Sequence, residues 1–121
     1  MTKLEMQGRT KKFALRVVKA VQALPNDRVA NVLGSQLLRA GTSVGANYRA
    51  ACRAKSTADF INKLKIVEEE GDESLFWMEL LVESGITSQQ KCGELMKEAN
   101  EIVSIVVASL KTTRAGARTG S

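Results

Sequence analysis

The sequence predicts an all-α fold, an antiparallel up-down-up-down four-helix bundle in one domain spanning residues 1–121. Three observations lead there. The 121-residue chain has one proline and few β-branched runs of strand length, which favours helices. Four segments repeat their apolar residues every three or four positions, the helical period. The connections between them fall near residues 25, 55 and 86 and are short, as a bundle requires. A chain of this length buries roughly two-thirds of its unfolded surface and needs no disulfide or metal staple. Aromatic residues are only 4% of the chain, so aliphatic side chains must fill the core.

The first predicted helix runs from about Thr10 to Leu24, with Phe13, Val17, Val21 and Leu24 as its apolar stripe. It stops at "LPND", because a residue before proline resists the α region. The second starts at Asn26 or Asp27, either of which can cap the free N–H groups. Its stripe is Val29, Leu33, Leu37, Ala40, Val44, Tyr48 and Ala51. That stripe passes through "RAGTSVGANYRAA" without losing phase, so this glycine-bearing stretch is helix interior.

The third helix begins after Ser56, with Asp59 in the acidic position of a capping box. Phe60, Leu64, Val67, Gly71, Leu75, Met78 and Leu81 form its stripe, and Gly85 is placed to end it in the left-handed region. The fourth starts at Thr87 or Ser88 and carries Cys92, Leu95, Ala99, Ile102, Val106 and Leu110, widened by Ile105 and Val107. Residues 1–9 read as a flexible N-terminus, and residues 112–121 as a disordered basic tail.

Several function classes are excluded by residue content. There is no histidine, and Cys52 and Cys92 are not in metal-ligand spacing, so a Cys/His zinc site or a histidine-based triad cannot be built. A di-iron bundle would need Glu-x-x-His pairs. No apolar h-region follows the N-terminus, and no stretch approaches the roughly 18 apolar residues of a membrane span. The expectation is a bacterial, cytoplasmic protein with no cofactor, no metal and no membrane partner. In "GTSVG", Ala46 and Asn47 follow Gly45, so the Gly-Lys-Ser/Thr of a phosphate loop is missing. Gly41 and Gly45, one turn apart, instead predict a close approach by a neighbouring helix.

The run "QLLRAGTSVGANYRAACRAKSTADFINKLKIVEEEGDESLFWMELL", Gln36 to Leu81, resembles the bacterial four-helix-bundle family named for reading frames in intervening sequences of 23S ribosomal RNA genes. The family pattern is close to "QLLRSGTSIGANYREA" followed by "S..DFI.KL.IA.KE..ET.YWL.LL". Gln36–Arg39, Gly41–Ser43, Gly45–Arg49, Asp59–Ile61, Lys63–Leu64, Glu70, Glu73 and Trp77 match it. Ala50 stands where the family usually has Glu, Glu69 replaces a usual Lys, Gly71 a usual Ala and Ser74 a usual Thr. The resemblance implies a bundle that assembles into a homopentamer and has no known enzymatic activity. It also implies a likeness in fold to the accessory proteins of diversity-generating retroelements, basic pentameric barrels that bind nucleic acid and a reverse transcriptase.

Three sets of residues stand out as candidate sites. Arg39, Asn47 and Arg49 on the second helix, with Lys63, Glu70 and Glu73 on the third, read as a structural polar network. In it Arg39 or Arg49, with Asn47, ties the two helices. Trp77 reads as core or as part of an oligomer interface. Lys3, Arg9, Lys11, Lys12, Arg16 and Lys19, with Lys111, Arg114 and Arg118, make a candidate nucleic-acid-binding set. The topology brings the two termini to one end of the bundle. The net charge of +5 and pI near 9.5 favour an anionic partner. No nucleophile–base pair and no cofactor loop is visible. The sequence therefore reads as a non-enzymatic homo-oligomer that binds RNA or DNA, chiefly structured RNA or a ribonucleoprotein. The alternative is an oligomeric scaffold or adaptor for another protein.

Overall fold

The computed structural model describes residues 1–118. They form four helices and no strand: α1 (Lys3–Gln22), α2 (Arg28–Cys52), α3 (Thr57–Glu83) and α4 (Gln89–Arg118). Each helix packs on its neighbours in sequence, and α1 meets α4 to close the ring. The diagonal pairs do not approach one another. This is the antiparallel up-down-up-down bundle that the apolar periodicity predicts.

Each helix starts where a side chain can satisfy its free N–H groups. The Asp27 carboxylate accepts from Ala30 N at 2.9 Å, Ser56 Oγ from Asp59 N at 3.0 Å and Ser88 Oγ from Lys91 N at 3.2 Å. Asp59 also reaches back, its Oδ2 accepting from Lys55 N at 3.2 Å. α3 ends in a Schellman turn. Gly85 sits at φ +80°, the Gly85 N–H donates to Val82 O, and the Ile86 N–H donates to Leu81 O.

Both chain ends depart from expectation. α1 begins at Lys3 rather than near Thr10, because Thr2 and Glu5 form a reciprocal capping box with bonds of 3.1 and 3.2 Å. Met6 and Thr10 extend the Phe13–Val17 stripe and are buried, so the added turns have a core to pack against. At the other end α4 continues as helix through Arg118, past the expected break at Leu110. Residues 112–118 therefore do not form the expected tail, and residues 119–121 lie outside the described residues. Thr112 and Thr113 donate their hydroxyls one turn back, to Ala108 O at 3.1 Å and Ser109 O at 2.7 Å, and both line a cleft shared with the other helices.

The core is aliphatic around one buried phenylalanine. Phe13, Leu37, Leu64, Met78, Leu81 and Ile102 are its largest fully buried side chains, with Val17, Val44, Val67 and Val106 between them. All six residues of the predicted α4 stripe are buried. In α2 the stripe is shifted at its start: Val29 is 54% exposed and Ala30 is buried instead. Eight residues separate Val29 from Leu37, a rotation that leaves them about 80° apart on the helix, whereas Ala30 and Leu37 differ by only about 20°. Among the described residues, the two buried polar side chains bond to their own helix: Thr10 Oγ1 donates to Met6 O and Ser74 Oγ to Glu70 O.

Gly41 and Gly45 set the spacing of α1 and α2. A Cβ on Gly41 would lie 2.7 Å from both γ-carbons of Val17, and one on Gly45 would lie 3.2 Å from the Thr10 carbonyl oxygen. Gly71 plays the same part toward α4, where a Cβ would meet Val103 Cγ2 at 2.7 Å. The glycine where the related pattern has Ala thus carries a packing role that offsets its low helix propensity.

α1 and α4 pack least closely of the four neighbouring pairs, and an ion-pair cluster spans them. Arg9 donates to both oxygens of Glu98 at 2.7 Å and to Glu101 at 3.3 Å. The Arg9 hydrogen bond, helped by the charges of Arg9 and Arg16, holds the Glu98 carboxyl below its ordinary range although burial opposes this.

Two predictions follow from this packing. Gly41→Ala lowers stability by roughly 1–3 kcal/mol through overpacking, whereas Gly8→Ala, which meets no atom within 4 Å, raises it by up to about 1 kcal/mol. Urea unfolding of the two variants checks both signs. For Glu98, the depressed folded pKa means that its contribution is complete above the ordinary value of 4.5 and is lost as pH falls through the folded value. Glu98→Gln should cost about 1 kcal/mol at pH 7 and remove part of the acid-side loss of stability. An acid limb identical to that of the parent protein counts against this account.

Candidate nucleic-acid interface

The expected polar network is smaller than its candidate set. Arg39 on α2 bridges to two carboxylates of α3: Nη1 donates to Glu70 Oε2 at 3.0 Å and Nη2 to Glu73 Oε1. Gln36 supports the guanidinium, accepting from Arg39 Nε at 3.3 Å. Trp77 joins from α3, its indole Nε1 donating to Glu73 Oε1 at 3.2 Å. The Arg39 hydrogen bond is the main reason the Glu73 carboxyl lies below its ordinary range.

Asn47, Arg49 and Lys63 are not in this cluster. The Asn47 side chain donates to Ser43 O at 2.9 Å, one turn back in its own helix, so it ties nothing to α3. Arg49 lies near the end of α2, more than two turns from Arg39, and Lys63 near the start of α3, about two turns from Glu70; both line a groove described below. Glu69 is exposed and takes no part. Trp77 is half-buried, and Phe76 beside it is 49% exposed, the two rings meeting edge to face at 5.1 Å.

The basic candidates split into groups. Arg9 is consumed by Glu98 and Glu101, and the charge of Arg16 acts on Glu98. Lys11, Lys12 and Lys19 are exposed along α1. Lys19 is about 24 Å along the helix from Lys3, at 1.5 Å per residue, and so belongs to the opposite end of the bundle. Lys3 places its ammonium 4.5 Å from the centre of the Phe60 ring, a cation–π contact with the start of α3. Lys111 and Arg114 lie in the last turns of α4, and Arg118 closes that helix.

The end that holds Lys3 also holds the α2–α3 connection. One cleft of about 810 Å³ is lined by Lys3, Tyr48, Lys55, Phe60, Thr112 and Thr113 among others, so all four helices contribute to it. Burial of Tyr48 there pushes its phenol up to about 12. Around the corner from Lys55, a second groove is lined by Arg49, Arg53, Lys55 and Lys63 with one carboxylate, Asp59. Arg53 and Lys55 are basic residues of this end that the motif reading passed over. A count of charge along the chain exposes them. Residues 39–65 hold six basic residues and one acidic, while residues 66–90 hold seven acidic and none basic.

Ion pairing sharpens this imbalance. The two clusters hold two arginines and four glutamates. Taken from totals of 18 basic and 13 acidic residues, this leaves 16 basic against nine acidic, an excess of seven on the rest of the chain. Among the described residues no three His, Cys, Asp or Glu side chains are grouped as metal ligands. No helix there is long and apolar enough to cross a membrane. Cys52 and Cys92 are both free thiols, and burial pushes the Cys92 thiol up.

Comparison with known proteins agrees with this architecture. No curated protein matches the sequence. Among solved structures, the chain is similar to a protein with unknown function from the S23 ribosomal protein family of Bacteroides thetaiotaomicron, in its crystal structure. The TM-score is 0.83 at 35% identity, covering 88% of this chain and 98% of that one. Residues 2–108 match the family described as 23S rRNA-intervening sequence protein, and with the bundle and the helix-two and helix-three motifs in place, the chain belongs to that family.

Proposed function

We propose that this protein is a non-enzymatic homo-oligomer that binds structured RNA, alone or in a ribonucleoprotein, through backbone phosphate. The observation that carries this reading is the gathering of unneutralised cations at one end of the bundle. Lys3, Arg49, Arg53, Lys55, Lys63, Lys111 and Arg114 belong to the helix ends that meet there. None of these side chains makes an ion pair with the described residues. The seven acidic residues of the 66–90 stretch lie toward the other half of α3. A field of this shape draws a polyanion to one end.

No row of exposed aromatic rings interleaves with the cations, so the contact is to phosphate rather than to stacked bases, and it discriminates little by sequence. Self-association is supported by large apolar side chains left on the surface, Leu15, Val32, Leu38 and Phe76 among them. The family resemblance supports a pentamer as the form of that assembly. A ring of copies multiplies the excess charge and makes weak individual phosphate contacts cooperate.

The test is a titration of the full-length protein with a structured RNA at two salt concentrations. Binding is expected at about 50 mM salt and should weaken by orders of magnitude by about 200 mM. No binding at low salt removes the RNA reading and leaves a scaffold for another protein. Sedimentation of the same sample should give a species several times the 13.1 kDa chain mass. A monomer at micromolar concentration rules out the oligomer.

A further inference from the structure

We propose that the groove at the α2–α3 corner is the phosphodiester-binding site, with Arg49, Arg53, Lys55 and Lys63 gripping a nucleic-acid backbone. The inference rests on the RNA-binding reading above and narrows it to one place.

The groove is open and has a volume of about 680 Å³. Its lining comes from different elements: Arg49 and Ala50 from the last turn of α2, Arg53 from its C-cap, Lys55 from the connection, and Asp59 and Lys63 from α3. Arg49 and Arg53 are one helical turn apart, about 6 Å along the axis, a separation that suits neighbouring phosphates of one strand. Alanine at position 50 adds no charge of its own to the lining.

Fold stability accounts for only part of this cluster. Arg49 and Arg53 stand at the C-terminal end of α2, where the helix dipole favours cations. Lys55 immediately precedes Ser56, the N-cap of α3, where the dipole disfavours a cation. Asp59 is the one carboxylate in the groove, and its Oδ2 already accepts from the Lys55 backbone N–H. No ion pair among the described residues neutralises any of the four cations, in contrast to Arg9 and Arg39. Four cations held around one concave surface with a single acid repel one another, and an anion in the groove relieves that repulsion. Phosphate is the fitting class, since guanidinium groups bind it in a forked geometry and lysine binds it as a point charge.

The experiment measures full-length protein binding to a mixed-sequence RNA hairpin, and to a DNA hairpin of the same sequence, across a salt series. The groove variants are Arg49→Gln/Arg53→Gln and, separately, Ala50→Glu, which keeps every cation and adds an acid. The charge-matched control is Arg28→Gln/Lys91→Gln, two exposed cations at the starts of α2 and α4, at the opposite end of the bundle. Thermal melts verify that each variant is folded. Each phosphate contact removed lowers the slope of log affinity against log salt by roughly 0.9, so the double groove variant should lose roughly 1.8 in slope. Ala50→Glu should weaken binding to both hairpins, and the control should change neither slope nor affinity appreciably. The hairpin bound more tightly by the parent protein identifies the source of the backbone.

Failure of the parent protein to bind either hairpin at low salt overturns the RNA reading and this site with it. Binding by the parent protein with equal losses in groove and control variants overturns the groove alone, and leaves general basic binding in place. Loss with only one of the two hairpins overturns a grip on backbone phosphate.

Discussion

The close approach of α1 and α2 at Gly41 and Gly45 is the constraint on which the rest of the bundle depends. Val17 fills the space that a Cβ on Gly41 would need, and the Thr10 carbonyl lies against Gly45. At this separation Phe13 and Val17 can reach the centre together with Leu37 and Val44. A chain with so few aromatic residues has no large side chains to bridge a wider gap, and dispersion contacts weaken steeply with distance. The small-residue stretch in α2 is therefore the condition under which an aliphatic core closes. α3 then repeats the device toward α4, with Gly71 accommodating Val103.

Polar ties take over where close packing stops. The α1–α4 contact is the least extensive, and there Arg9 spans to Glu98 and Glu101. On the α2–α3 surface Arg39 reaches Glu70 and Glu73, with Trp77 ordering the second carboxylate. Both ties are partly exposed, so each adds modestly to stability, and their geometric value is to set the register of one helix against the next. Each also places one arginine against two glutamates. Acidic residues are thereby concentrated inside structural ties, and the unpaired excess elsewhere becomes more positive than the net charge suggests.

Much of this was legible in the sequence because a core stripe has a period. Cys92 through Leu110 repeat at three and four, and every member is buried. The Ser56 cap and the Gly85 turn carry residue types suited to those positions. Legibility failed where the deciding interaction was local and lay outside the stripe. The Thr2–Glu5 capping box that starts α1 is short, and the extension of α4 carries threonines that lie outside the apolar stripe and line a cleft shared with the other helices. Val29 was misplaced because spacings of four accumulate rotation away from a helix that turns every 3.6 residues. Side-chain partners were harder still. Arg39, Arg49 and Asn47 share a helix and a polar character, and only the positions of neighbouring helices decide that Arg39 finds the carboxylates and Asn47 a backbone carbonyl.

The same limit explains why the α2–α3 corner went unrecognised as a basic site. Arg49 and Lys63 lie on the two helices that the tie joins, which in the sequence alone makes them its candidate members. Helix length decides otherwise: Arg49 is ten residues from Arg39, about 15 Å along the axis, and Lys63 lies two turns before Glu70. The antiparallel turn folds these distant ends of α2 and α3 back together around Lys55. On the proposed reading, that geometry gives the molecule a direction. Acidic side chains from the middle of α3 onward, Glu68, Glu69, Asp72, Glu79 and Glu83, repel a polyanion from that part of the helix. The cations at its start draw the same polyanion toward the corner. A basic protein with evenly mixed charge would bind nucleic acid in any orientation, whereas segregation of charge along α3 admits it from one end.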